Sequence, residues 1–264
     1  VMAKKSLAFR RKKFSELTDS QWQCIEDLVE IKRRKRKNSL QTVLNAIMKV
    51  NSTGMQWREL DEKYPPWQSV YYYFRKWQKD GTFRLILRRL RQKMRVQLGR
   101  EAEPSMAAVD SQSVKKGPLV SQETGIDGGK NINGRKRHFA VDSIGLPLVI
   151  HVTAANINDG VAGLDLLWQM EQESKRLSLI RSDHAYQGEF QVAASYYNWQ
   201  VEITQKPESQ KGFVPQKGRW QVERSFAWLN FFRRLDKDHE KTTQSAIAFN
   251  HLAFVVIILA NLYP

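Results

Sequence analysis

The chain has 264 residues, 41% of them hydrophobic, and a formal net charge of +16. That apolar share excludes a disordered or fibrous chain and suits one substantial domain with a smaller one beside it. A single cysteine, Cys24, excludes an intramolecular disulfide framework and a cysteine-based zinc site. The charge is unevenly spread: residues 1–100 hold 25 lysines and arginines against 9 acids, whereas residues 101–264 hold 18 of each. A basic module followed by a balanced one points to a polyanionic partner, held through phosphate contacts and counterion release.

Taken in chain order, residues 1–13 form a basic tail and residues 14–100 a small helical domain with helix-turn-helix character. Thr18 or Asp19 caps a first helix carrying Trp22, Ile25 and Leu28 at helical spacing. Lys32, Arg33, Arg34, Lys35, Arg36 and Lys37 make six consecutive basic residues, too polar for a core and expected to contact DNA. Ser39 caps a second helix with Leu40, Val43, Leu44, Ile47 and Met48 on one side. A third helix follows Pro65-Pro66 and runs to about Asp80, with Trp67, Val70, Tyr71, Phe74 and Trp77 on one side, an aromatic stripe expected to be core. A fourth sets Phe83, Ile86, Leu87, Leu90 and Met94 against Arg84, Arg88, Arg91 and Arg95. Exposed basic faces, Arg84, Arg88 and Arg91 among them, are expected to carry phosphate contacts.

From residue 104 the pattern changes, and residues 104–264 are expected to form an α/β domain. Met106–Asp110 is a short strand, and 111–133 is rich in Ser, Gly and Lys and loop-like. Strands over 137–142 and 147–153 flank the Ser143-Ile144-Gly145 turn. A helix over 159–176, a strand over 178–183, a helix over 187–198, a strand over 200–204, a polar loop over 206–217 and a helix over 219–234 follow. The order β-β-β-α-β-α-β-α is that of a ribonuclease-H-like α/β domain. The apolar run 251–262 is shorter than the roughly 20 residues a spanning helix needs and is expected to be a buried terminal helix. No segment resembles a signal peptide, and a cytoplasmic protein is expected.

Three carboxylates carry the chemistry. Asp110 ends one strand, Asp183 ends another, and Glu223 sits on the helix over 219–234. That order brings all three to one edge of the sheet. Magnesium is a hard cation that prefers such oxygen ligands together with waters and phosphate oxygens. Two ions roughly 3.5–4 Å apart activate an attacking hydroxyl and stabilise the leaving oxygen. His138 is expected to pack or hydrogen-bond, and the five histidines show no His-x-x-x-His spacing.

Four segments then carry a resemblance: V-D-S-Q-S-V, G-I-D-G-G-K-N-I-N-G-R-K-R-H-F-A-V-D-S-I-G-L-P-L, S-D-H-A-Y-Q-G and R-W-Q-V-E-R-S-F-A-W-L-N-F-F-R-R-L. Together with L-T-D-S-Q-W and T-G-M-Q-W-R-E-L-D-E-K-Y-P-P-W upstream, the chain resembles DDE insertion-sequence transposases of the bacterial insertion-sequence-five group over about residues 14–240. The resemblance implies Asp110, Asp183 and Glu223 as catalytic metal ligands for two Mg2+ ions, with Mn2+ as substitute. It matches Arg219 to the family's arginine on the last motif, places Gln216 where relatives have tyrosine, and Asn230 where they have a basic residue. Lys130, Arg135, Lys136 and Arg137 match the family's basic segments and are expected to contact DNA. The implied activity is cleavage at transposon ends and strand transfer by the freed 3′-hydroxyl. Its implied partners are double-stranded DNA (terminal inverted repeats and target) and a second copy of the chain in the synaptic complex. A nucleoid-associated location follows and a membrane partner does not. A catalytically inactive transposase-derived DNA-binding protein and a ribonuclease-H-like endonuclease without strand transfer are the rival expectations.

Overall fold

The computed structural model describes residues 7, 9, 13–29, 37–204 and 219–264. Most of the basic tail, Lys32–Arg36 of the basic run, and Gln216 with the 206–217 loop lie outside them. Among the described residues the N-terminal part is helical: α1 (Asp19–Gln23), α2 (Glu26–Val29), α3 (Leu40–Thr53), α4 (Trp67–Lys79) and α5 (Thr82–Gln97). Thr18 caps α1 through a capping box with Gln21, so two otherwise unpaired backbone N–H groups are satisfied. Gly54, in the left-handed conformation at φ 74°, ends α3 and returns its N–H to Val50.

The remainder is mixed α/β: β1 (Met106–Lys115), β2 (Gly125–Asp127), β3 (Ile132–Asp142), β4 (Pro147–Ala154), α6 (Asp159–Glu173), β5 (Leu179–Ser182), α7 (Glu189–Ser195), β6 (Gln200–Ile203), α8 (Trp220–Leu229) and α9 (Thr243–Leu262). The sheet runs β4-β3-β1-β5-β6, with β2 adding to the end of β3. β3 is antiparallel to β1 and β4, while β5 lies parallel to β1 and β6. Two differences from the sequence expectation stand out. β1 continues to Lys115 through residues expected to be loop, because β3 starts at Ile132 and pairs Gly134–His138 against Ser111–Lys115. And α9 begins at Thr243, capped by Thr242, rather than at 251. It is therefore long and apolar enough, by length and composition, to cross a membrane, yet 78% of its most apolar window is buried inside the protein.

Alternation along the strands sorts the core into two layers. Ala107, Val109, Ala140 and Ile180 face α6 and α7, where Leu166, Leu167, Met170 and Phe190 complete one cluster. Ala108, Phe139, Val141 and Ile150 face the other way, onto α8 and α9. That second cluster continues without a break into Val43, Leu44 and Ile47 of α3, Phe74 and Trp77 of α4, and Ile86, Leu87 and Leu90 of α5. The helical region and the sheet thus share one core, with α9 between them. A helix apolar all round, as α9 is, requires such surroundings.

Candidate active site

Parallel pairing of β1 with β5 sets Ala108 opposite Arg181. Two residues further on, Asp110 in the middle of β1 and Asp183 just past the end of β5 therefore lie side by side. By alternation Asp110 points to the same face as Ala108, toward α8. That helix is held across β1 and β3 by Val222, Phe226 and Leu229, with the Phe226 ring 4.8 Å from Phe139. Glu223 lies beside this stripe, and Arg219, four residues earlier, sits at the N-cap of the same helix.

The three elements meet at Arg219. Its Nη2 lies 2.7 Å from Asp110 Oδ2 and 3.5 Å from Asp183 Oδ2, so one guanidinium nitrogen spans both aspartates. Burial pulls the Arg219 pKa down, but the charges of Asp110, Asp183 and Glu223 outweigh it and leave it above the ordinary value. Asp110 moves the opposite way: burial pushes its carboxyl above the usual range, Arg219 pulls it back, and Asp183 adds to the upward push. Asp110 Oδ1 also accepts from the Ser111 N–H at 2.7 Å, and Asp183 Oδ1 from the Ala185 N–H at 3.1 Å. Glu223 contributes charge to Arg219, while its Oε2 is buried with no hydrogen-bond partner among the described residues.

These observations bear on a divalent cation. Among the described residues no three acidic, histidine or cysteine side chains are gathered closely enough to hold an ion. The donor set is nonetheless hard oxygen from three elements, one of those oxygens is buried without a partner, and a positive group already spans two of the acids. The residues fit a divalent cation, with the guanidinium satisfying the aspartates in this arrangement.

Several basic residues expected on the DNA-facing surface are elsewhere. Arg91 is buried, donating to Pro147 O at 2.7 Å and to Glu173 Oε2 at 2.9 Å. Arg135 is buried among Gln122 O, Glu123 O, Asp238, Glu240 O and Lys241 O. Arg137 is buried and donates to Leu235 O at 2.8 Å, and its burial brings the pKa down to about 10. Lys136 turns inward to Ile157 O and Asp159. The expectation of DNA contact is corrected for these four, since each guanidinium or ammonium is consumed by protein acceptors. Lys130 and Lys37 are exposed, as is Arg84, whereas Arg88 is half-committed to Gln172 O, Glu103 and Glu173. His138 is buried and hydrogen-bonds Thr153 Oγ1 at 2.9 Å. Sequence reasoning missed Tyr186, which is fully buried beneath the site; burial first, then the charges of Asp159, Asp110 and Asp183, raise its pKa well above the ordinary value. Its place three residues after Asp183 was the available signal.

Comparison with known proteins places the chain in a family. Residues 101–259, more than half of the chain, match the family described as "Transposase DDE domain". Residues 17–87 match the family described as "Putative transposase of IS4/5 family". The chain belongs to the DDE-domain transposase family. It is similar to a Burkholderia cepacia protein described as "Putative transposase for insertion sequence element IS402", 30% identical over 131 residues, which cover 47% of this chain and 62% of that relative.

Proposed function

We propose that the protein is a DNA transposase that cleaves phosphodiesters at the ends of an insertion sequence and joins the freed 3′-hydroxyl to target DNA. The observation that carries this reading is the meeting of Asp110, Asp183 and the Glu223 helix at Arg219, in a chain of this family. Its sheet order, with three antiparallel strands followed by two parallel ones, supports a ribonuclease-H-like reading of residues 104–264. The helices of 14–100, read as helix-turn-helix-like, are proposed as the DNA-holding region. Cytoplasmic, nucleoid-associated action and pairing of two copies across two DNA ends follow from this activity.

Asp110, Asp183 and Glu223 would hold divalent cations, Mg2+ with Mn2+ as substitute, two per site. When bound, such ions activate the attacking oxygen and stabilise the leaving one. The chain's own residues then have separate tasks. Ser111 and Ala185 N–H groups fix the aspartate oxygens that point away from Arg219, leaving the opposite oxygens oriented into the site. Arg219, displaced from the two aspartates, is placed to pair with a phosphate oxygen through its fork of donors. Burial of Asp110 and Tyr186 keeps the floor of the site dry, which strengthens every charge interaction above it.

The test is cleavage and joining of DNA carrying the element's terminal repeats, with Mg2+ or Mn2+. Wild type should cleave and join, and Asp110→Ala, Asp183→Ala and Glu223→Ala should each abolish both. Cleavage without joining would make the protein an endonuclease. Binding without cleavage, unaffected by the three substitutions, would make it a DNA-binding protein derived from a transposase.

A further inference from the structure

The most basic helix in the sequence is α5, yet its cations are largely spent inside the molecule. Arg91 and Arg95 are buried against Glu173 and Asp142. Arg89 pairs with Asp27, Lys93 with the Tyr263 hydroxyl, and Arg88 with the Glu103 and Glu173 side. The neighbouring helix α4 is built differently. Val70, Phe74 and Trp77 bury one face, and the opposite face presents Tyr71, Tyr72, Arg75, Lys76 and Lys79 to solvent. Lys76 is paired within the helix to Asp80 at 2.7 Å. Among the described residues Arg75 and Lys79 have no acidic partner.

A groove runs along this face, walled by Tyr72, Arg75, Lys76 and Lys79 on one side and by Thr242 and Gln244 at the start of α9 on the other. The segment leading into α9 continues the positive surface. Its acids Asp238 and Glu240 turn inward to Arg135 and Arg234, so that Lys237 and Lys241 are exposed with only Asp236 beside them, an excess of one cation. The same segment is bonded to β1, where Asp238 N donates to Lys115 O at 2.9 Å. β1 is the strand that carries Asp110, about 17 Å from Lys115 at an extended rise.

We propose that the outward face of α4, through Tyr72, Arg75, Lys76 and Lys79, is a DNA-backbone contact surface. From it the duplex is led past Lys241 and Lys237 and along β1 toward Asp110. The occupant is double-stranded DNA because the surface combines Arg75 and Lys79, which have no acidic partner among the described residues, and the surface-paired Lys76 with an exposed tyrosine hydroxyl, the groups that bind phosphate oxygens, and is continued by a segment bonded to the strand leading to the acidic site. The inference rests on DNA as the partner and is independent of whether the site cuts it.

The test is the salt dependence of binding to a fluorescent duplex of arbitrary sequence, using the full chain. Replacing Arg75, Lys76 and Lys79 by alanine should lower the slope of log affinity against log salt by about two to three, one per lost phosphate contact. Tyr72→Phe should weaken binding without changing the slope. An Arg89→Ala/Lys93→Ala variant, removing two basic residues of α5 that are paired to Asp27 and to the Tyr263 hydroxyl, should keep the wild-type slope. The surface is refuted if the α4 variant, melting at the wild-type temperature, keeps that slope, or if the α5 variant loses it instead. A wild-type chain that does not bind the duplex overturns the surface and the proposed DNA partner together. Loss of slope in the α4 variant of a chain that binds but never cleaves upholds the surface and refutes only the catalytic reading.

Discussion

Helices α4 and α5 are consecutive, similar in length and both rich in cations, but they use charge for opposite purposes. In α5 the guanidiniums of Arg91 and Arg95 reach Glu173 and Asp142, two carboxylates that are themselves almost fully buried. Asp142 also accepts the N–H groups of Ile144 and Leu146, so Arg95 ties α5 to the turn between β3 and β4. In α4 Lys76 holds only the exposed Asp80 one turn away, Arg75 and Lys79 have no acidic partner among the described residues, and all three face outward. A count of basic residues would have ranked the two helices the wrong way round as nucleic-acid surfaces. What separates them is the location of acids far away in sequence.

The largest expected effect comes from breaking the α5 side of this contrast. Arg91→Ala should destabilise the protein by about 3–5 kcal/mol in urea unfolding, because it leaves the buried Glu173 without its one guanidinium in hydrogen-bond contact, Arg84 and Arg88 standing 3.9 and 4.0 Å away. The paired replacement Arg91→Met with Glu173→Leu should restore most of that loss, since removing both charges also removes their desolvation cost.

A second effect is pH-dependent. His251, on α9 and facing α5, is held down to about pKa 3 by burial and then by the charges of Arg84 and Arg91, and burial holds His138 at about 4. Unfolded histidine takes a proton near 6.5, so the unfolded chain binds protons that the folded chain refuses. Stability from both is complete above about pH 6.5 and drains as pH falls toward 4. Thermal melts across that range should decline less steeply for His251→Gln than for wild type, and an unchanged decline would show that His251 is not kept neutral by its site.

On the α4 side the expected changes are small. Arg75→Ala and Lys79→Ala should leave stability within about 0.5 kcal/mol of wild type, as exposed substitutions without partners do. A double-mutant cycle between Lys76 and Asp80 should return only about 0.3–0.5 kcal/mol, the value of a surface pair one helical turn apart. A coupling several times larger would mean that this face also has a structural duty.

The elements that carry the three proposed site acids were legible in the sequence, and their company was obscure. Asp110, Asp183 and Glu223 could be assigned to elements because each follows or interrupts an apolar pattern of recognisable period. The spacing of Arg219 and Glu223 by one helical turn was equally readable. Burial of Arg135 and Arg137 was not, because β3 is the centre of three neighbouring strands and most of their acceptors lie about a hundred residues away. The second half of β1 was hidden for a related reason. Its polar Ser-Gln-Ser is held extended by pairing with β3, not by any preference of its own. The outward cations of α4 had a signal that composition obscures, namely their position opposite the Val70, Phe74 and Trp77 stripe.

The placement of α9 has a consequence for how the molecule is made. Leu44, Ile47, Phe74 and Leu87 complete their packing only against this helix, yet residues 98–242 must be synthesised between α5 and α9. At about 5–20 residues per second that interval lasts about ten to thirty seconds. Throughout it the N-terminal helices exist as a half-built core, their apolar faces accessible to chaperones and to one another. The shared core is therefore complete only once α9 has been made.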